Sequence, residues 1–283
     1  MTIRIAVIAP GAMGSAIAGR LTEHDATVFT SLEGRSVASI ARANAAGMID
    51  APIEEIASAD IILSILPPID AMPLARRLGP AIAASPTRPL YVDCNAVSPR
   101  SKQALATYLA EVGCEMVDGT IIGLPPAPGR PDPRLYVSGP AATRALILNE
   151  WGLDVRRVDG PIGAAAALKM TYAGINKGMT ALGAALLLAA ERAGAAADLR
   201  REMAHSVPDT VTRLTHSIPN MYPKAYRWIG EMREIAEFLG EDEAAAMMFE
   251  GAARLFERLA ADVAGEGREI AEIDAALVGG PLH

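Results

Sequence analysis

Cysteine is scarce in this chain, with Cys94 and Cys114 the only two among 283 residues. They lie far apart and lack metal-ligand spacing. That excludes a disulfide scaffold and reads as two reduced thiols in a reducing compartment. Histidine is almost as rare. His24, His205, His216 and His283 form no paired ligand motif, so no metal site is expected, and His205 and His216 read as structural. Basic residues are outnumbered, 26 Lys and Arg against 33 Asp and Glu, for a net charge of -7. This argues against a nucleic-acid partner, which calls for a basic face, and leaves room for a local phosphate pocket. The N-terminus has neither the basic head nor the long apolar core of a signal peptide. The longest uncharged stretch of the second half, Gly178 to Ala190, is 13 residues, short of the roughly 20 that a membrane helix needs. The expectation is a soluble, cytoplasmic protein with no membrane partner.

Half of the residues are hydrophobic, 51%, and the length suits two ordinary domains. Ile3 to Ala9 is a short apolar run ended by Pro10-Gly11 and reads as a buried parallel strand. Further strands are expected at Ala26 to Thr30, Ile61 to Leu66, Leu90 to Asp93, Glu115 to Val117 and Leu135 to Ser138. Helical stretches lie between several of them, as at Ala12 to Leu21, Ser36 to Ala46 and Arg100 to Val112. Such alternation predicts a parallel sheet covered on both faces. The character changes near Gly160. Gly163 to about Gly194 reads as one long buried helix, and Ala196 to His205, Asp209 to His216, Pro223 to Leu239 and Glu241 to Ala264 as further helices. Pro208, Pro219 and Pro223 mark breaks between them. Met247, Met248 and Phe249 read as core. The expected layout is an α/β domain over 1–160 and an all-α domain over 161–283.

The first strand runs into Ala9-Pro10-Gly11-Ala12-Met13-Gly14. A dinucleotide fingerprint reads G-x-G-x-x-G here, and its first position is alanine. Gly11 lets backbone approach a pyrophosphate, Gly14 lets helix pack on strand, and the helix N-terminus offers free N–H groups to phosphate. The place of the loop, after the first strand and before a small-residue helix, is what makes it a Rossmann-type doubly wound signature. Gly11, Ala12 and Met13 are thus cofactor candidates. The second strand ends in Thr30-Ser31-Leu32-Glu33-Gly34-Arg35-Ser36. An NAD binder carries an acidic residue near Ser31. Ser31, Arg35 and Ser36 instead suit the 2′-phosphate of NADP, and Glu33 is the argument for NAD. Ser64, Leu66 and Pro67, after the Ile61 strand, are expected to edge the pocket.

The loop APGAMG, the segment TSLEGRS, the turn SILPP and the run GPIGAAAALKMTYAGINKG together resemble the β-hydroxyacid dehydrogenase and 6-phosphogluconate dehydrogenase superfamily. The closer likeness is to its branch with a phosphogluconate-dehydrogenase-like C-terminal domain of unknown function, which the stretch Trp228 to Met232 also fits. The resemblance implies a Rossmann domain, a long helix leaving it, an all-α domain that dimerises, and a catalytic lysine on that helix, matched by Lys169. Tyr172 stands where the family carries asparagine, and Asn176 follows seven residues after Lys169. Lys169, Tyr172 and Asn176 are expected on one helix face. The family's D-x-S-T loop is here Asp93-Cys94-Asn95-Ala96, and its S-G-G loop falls at Ile122-Gly123-Leu124. A simple 3-hydroxy acid is therefore a poor fit, and the stiff apolar loop Gly123 to Gly129 hints at a larger or less polar substrate.

Lys169 sits in an apolar helix, where an ammonium must find a partner, reach water or lose its charge. A lowered pKa suits proton exchange with a carbonyl or alcohol oxygen; the alternative is a snorkelling lysine. Tyr172 is either a proton relay or a tethered core tyrosine. Asn95 either holds the nicotinamide ribose or substrate, or forms a turn. Lys177 is about 12 Å further along the helix. Arg227 and Glu231 have the spacing of a surface pair. The expected function is NADP(H)-dependent hydride transfer at a carbonyl or alcohol carbon of a small organic acid or related compound, by a homodimer. An imine reductase and a non-catalytic NADP(H) sensor are the rivals.

Overall fold

The computed structural model describes residues 2–127 and 129–278. The chain divides into two compact units, the first up to Lys169 and the second from Met170 on. The division falls inside a long helix and not ahead of it at residue 160, because that helix starts on the sheet of the first unit and supplies core to the second.

The first unit alternates β1 (Arg4–Ile8), α1 (Ala12–Glu23), β2 (Thr27–Thr30), α2 (Val37–Ala45), β3 (Ile49–Asp50), α3 (Ile53–Ala57), β4 (Ile61–Ser64), α4 (Ala71–Ala84), β5 (Leu90–Asp93) and α5 (Pro99–Glu111). It closes with β6 (Glu115–Ile122), β7 (Arg134–Ser138), α6 (Ala142–Ala145) and β8 (Asp154–Arg157). Among the described residues these strands form one sheet in the order β3-β2-β1-β4-β5-β6-β7-β8. Every pairing is parallel except β6 with β7. Ile5, Ala6, Val7 and Ile8 are fully buried, as a central parallel strand covered on both faces requires. On one face Val7, Leu63 and Val92 pack with Ile17 and Leu21 of α1. On the other, Ile8, Ile62 and Tyr91 pack with Leu74 and Leu78 of α4 and Leu105 and Leu109 of α5. The chain leaves β1 toward β2 on one side and returns to β4 on the other. This is the switch point at whose C-terminal edge such sheets bind ligands.

Helix α7 (Ala164–Arg192) starts in the first unit and continues into the second, which adds α8 (Ala196–Ser206), α9 (Pro208–Met221), α10 (Ala225–Phe238), α11 (Glu243–Ala264) and α12 (Arg268–Val278). Ala184, Leu188, Leu214, Ile218, Met232, Phe256 and Ile273 form the core of that unit. Three sequence expectations need correction. Pro219 does not break a helix but lies inside α9. Met247 and Met248, read as core, are 60% and 74% exposed. And α7 runs 29 residues, so by length and composition it is apolar enough to cross a bilayer, although its uncharged segment is shorter. Ala181, Ala184, Leu187 and Leu188 of this helix are nonetheless core of the helical unit.

Candidate cofactor and active site

The turn from β1 into α1 is built for a phosphate. Gly11 is the N-cap of α1 with extended backbone, no side chain caps the helix, and its first turn carries no acid. The first helical bond runs from the Ser15 N–H to the Gly11 carbonyl at 2.9 Å. The N–H groups of Ala12, Met13 and Gly14 lack an intrahelical acceptor, at the positive end of the helix dipole, while the Gly11 N–H donates to the Ala9 carbonyl at 2.9 Å. A Cβ on Gly14 would collide with the Ala9 carbonyl oxygen, whereas one on Gly11 would meet nothing within 4 Å. Gly14 thus serves helix–strand packing, and Gly11 keeps an approach open. Ala12 is exposed and Met13 half-buried beside them. These features fit a dinucleotide pyrophosphate.

After β2, Ser31 is 9% exposed. The Leu32 N–H is tied to Asp50 Oδ1 at 2.9 Å, and the chain turns through Gly34 at φ 67°. Arg35 is half-buried and Glu33 exposed. Ser36 caps α2, accepting from the Ser39 N–H at 3.3 Å and donating to Ser39 Oγ at 3.1 Å. Arg42, which the sequence reading passed over, continues this chain. Its Nη2 donates to Ser39 Oγ at 2.9 Å and its Nε to the Pro10 carbonyl at 3.1 Å. The Arg42 guanidinium therefore stands against the glycine loop. The sequence signal for it was present, since Arg42 lies two turns into a helix starting at the cofactor loop.

At the ends of β4 and β5 the candidates separate. Leu66 is half-buried and Pro67 exposed, so both are available at the edge. Ser64 is fully buried and Asn95 is 2% exposed. The Asn95 amide nitrogen donates to Ser64 Oγ at 2.8 Å and to Asp93 Oδ1, while its oxygen accepts from the Leu66 N–H at 2.5 Å. Both side chains are used up inside the sheet. Ser64 is buried in the sheet, and Asn95 ties β5 to the loop after β4.

Beneath this edge lies a buried charge cluster that the sequence reading did not find. Lys102 of α5 is fully buried, and so are Asp93 and Asp118. Its ammonium donates to Asp93 Oδ2 at 2.6 Å, to the Asp93 carbonyl at 2.5 Å and to the Gly119 carbonyl at 2.9 Å. Asp118 Oδ1 lies at 3.4 Å. The other oxygen of Asp118 accepts from Ser138 Oγ and from the N–H groups of Gly163, Ala165 and Ala166 at 2.9 to 3.2 Å. A carboxylate thus caps α7 from another strand, where the dipole favours it. Burial pushes the Asp93 carboxyl upward, and the Lys102 ammonium opposes the shift.

Lys169 lies one turn beyond Ala165. Burial pushes its ammonium below the ordinary lysine value, the Lys102 ammonium lowers it further, and the Cys94 thiol opposes both. Among the described residues Lys169 forms no ion pair. Cys94 itself is pushed up to about 12, and Cys114 to about 11, by burial, so both are inert thiols. In the second unit, Tyr172 is 51% exposed. Asn176 is taken by local bonds, its amide donating to the Tyr172 carbonyl at 2.7 Å and its oxygen accepting from Arg213. Glu231 pairs with Lys177, not with Arg227 as its spacing implied, and the Lys177 ammonium lies 5.2 Å from the centre of the Trp228 ring. Among the described residues no cluster fit for a metal occurs.

The description "NAD binding domain of 6-phosphogluconate dehydrogenase" matches residues 4–126, and a domain of unknown function matches residues 190–259. Over these two stretches the chain is similar to 6-phosphogluconate-dehydrogenase-like proteins in its nucleotide domain and to that uncharacterised domain in its second unit. It is 28% identical over 125 residues to an uncharacterized 28.5 kDa protein of Methanothermus fervidus, a match spanning 44% of this chain and 45% of that relative. A solved conserved protein of unknown function, described as structurally similar to 3-hydroxyacid dehydrogenases, superposes with TM-score 0.81 at 27% identity over 96% of this chain and 99% of its own. The Mycobacterium tuberculosis 3-hydroxyisobutyrate dehydrogenase shares the fold at TM-score 0.73 and 19% identity, covering 93% and 96% of the two chains. A Streptomyces aurantiacus imine reductase does so at 0.55 and 18%, covering 97% and 98%. The chain therefore has a hydroxyacid-dehydrogenase-like fold with a nicotinamide-nucleotide-binding domain.

Proposed function

We propose that this protein is an NADP(H)-dependent oxidoreductase acting on a carbonyl or alcohol carbon of a small organic acid or related compound, with Lys169 as the general acid and base. The observation that carries this reading is a desolvated lysine of depressed pKa in the same unit as an uncapped, acid-free helix start. The bound nicotinamide would supply or accept the hydride. The Lys169 ammonium would give its proton to the oxygen of the carbonyl being reduced, or in its neutral form take one from the alcohol. Gly11, Ala12 and Met13 would hold the pyrophosphate. Ser31, Arg35 and Ser36, joined by Arg42, would hold the 2′-phosphate, a planar guanidinium being the better phosphate ligand. Leu66 and Pro67 would edge the nicotinamide pocket, and Tyr172 is a candidate proton relay. We place the protein in the cytoplasm as a homodimer formed through the helical unit.

The test is an NADPH-oxidation screen across aldehydes, keto acids and imines, run with wild type and Lys169→Ala. The expected outcome is carbonyl-dependent turnover that falls about 10²- to 10⁴-fold in the variant while NADPH affinity holds. Turnover confined to imines would replace the reading with an imine reductase. Nucleotide binding without turnover, indifferent to Lys169, would leave a sensor.

A further inference from the structure

Lys102 is the least expected side chain in the first unit: an ammonium with no exposure to solvent, in a place where an apolar side chain would pack at less expense. Buried ion pairs often add nothing to stability over an apolar isostere, so their presence calls for another reason. Two observations point to one. Lys102 reaches both Asp93, at the end of β5, and Asp118, in β6. Asp118 in turn holds the first turn of α7 through three backbone N–H groups, and α7 carries Lys169 one turn later.

We propose that Lys102 is the positioning residue of the site: clamped between Asp93 and Asp118, it fixes the start of α7 and keeps an ammonium close to Lys169. This rests on the reading of Lys169 as the proton carrier. The charged and titratable groups of the first unit that bear on Lys169 are Lys102 from α5 and the Cys94 thiol after β5. Asp93 and Asp118 act on it through Lys102. With its two carboxylates Lys102 makes a cluster of net charge about -1, of which the positive member is the one that weighs on Lys169. Removing Lys102 therefore makes protonation of Lys169 easier. Removing one carboxylate charge while keeping the acceptor leaves Lys102 less neutralised and makes protonation harder.

The measurement is a direct titration of Lys169 in the cofactor-free protein by lysine ¹³Cε NMR, the resonance being assigned by its loss in Lys169→Met. Lys102→Met is expected to raise the midpoint by about one pH unit, and Asp118→Asn to lower it by a similar amount. NADPH affinity should stay within about threefold of wild type in both. The opposite signs separate a charge effect from general loosening, which would move both variants the same way, toward the ordinary lysine value. If Lys102→Met does not fold, Asp118→Asn alone decides, and an unmoved or raised midpoint there overturns the proposal. Should the midpoints shift as stated while Lys169→Ala keeps full turnover, the proposed reaction fails and the role of Lys102 in setting the charge of Lys169 stands.

Discussion

A methyl group on Gly14 would run into the Ala9 carbonyl oxygen, and one on Gly11 would meet open space. The two glycines of the loop therefore fail differently. Gly14→Ala forces helix from strand and should destabilise the protein by about 2 kcal/mol, seen as a lowered melting temperature without any nucleotide present. Gly11 has φ -72°, which alanine adopts freely, so Gly11→Ala should melt like wild type yet bind NADPH at least about tenfold more weakly, by blocking close approach. Equal melting losses in both would sink this division of labour. Lys169 carries its own signature. Its pKa is lowered on folding, so the unfolded chain binds more protons than the folded one between that lowered value and about 10.4. Stability contributed by this residue thus rises with pH through that window, and its charged form weighs against folding at every pH below it. Lys169→Met should melt higher than wild type at pH 7, with the gap closing as pH approaches 10. A lower melting temperature for Lys169→Met at pH 7 would show instead a lysine whose charge is satisfied in the folded state.

Helix α2 shows what a whole element adds to single residues. Its cap, Ser36, and its second-turn Arg42 are linked through Ser39, and Arg42 reaches the Pro10 carbonyl, so the element presents a guanidinium to the glycine loop as a fixed part. Charge-assisted hydrogen bonds are worth about 1.5–3 kcal/mol. Arg35→Ala and Arg42→Ala should then each weaken NADPH by about ten- to a hundredfold while NADH changes little, measured by fluorescence titration. Equal losses for both nucleotides would place these arginines away from the 2′-phosphate. Strands β1, β2, β4 and β5 were legible in the sequence because each is a short apolar run closed by turn residues. The strands β3 and β8 were not: β3 has two exposed residues, and β8 buries only Val155 well. Helix α4 escaped notice because Pro73 and Pro80 lie within it, and α12 because its short amphipathic run follows a glycine loop. In the candidate site, the sharp turn from β1 into α1 and the place of Lys169 on a long helix were legible from local pattern. The pairing of Lys102 was not, because its partners Asp93 and Asp118 are brought to it by two separate strands. The hydrogen bond between Asn95 and Ser64 was hidden for the same reason, since it joins neighbouring strands.

The second unit leaves much apolar surface outside its own core. Ile175, Leu182 and Leu186 are 62%, 62% and 58% exposed on α7, at spacings of seven and four that place them on one stripe. Met247 and Met248 add exposed apolar surface on α11. Exposed apolar patches of this kind mark interaction sites. The opposite face of α7 packs Ala181, Ala184, Leu187 and Leu188 into the core of the helical unit, and Lys177 on the same helix sits in an ion pair with Glu231. A lipid-facing helix would have to bury that charge in hydrocarbon, which is expensive. A second copy of the chain would cover the stripe without that difficulty, and a two-fold interface needs only one self-complementary patch. The wild-type protein should therefore sediment as a dimer, and Leu182→Glu with Leu186→Glu should sediment as a monomer with unchanged helical circular dichroism. Charges placed at the centre of an apolar interface disrupt it because they must be desolvated unpaired. A monomeric wild type, or a dimer indifferent to both glutamates, would move the interface elsewhere. Recovery of the wild type in the membrane fraction would instead assign the stripe to lipid.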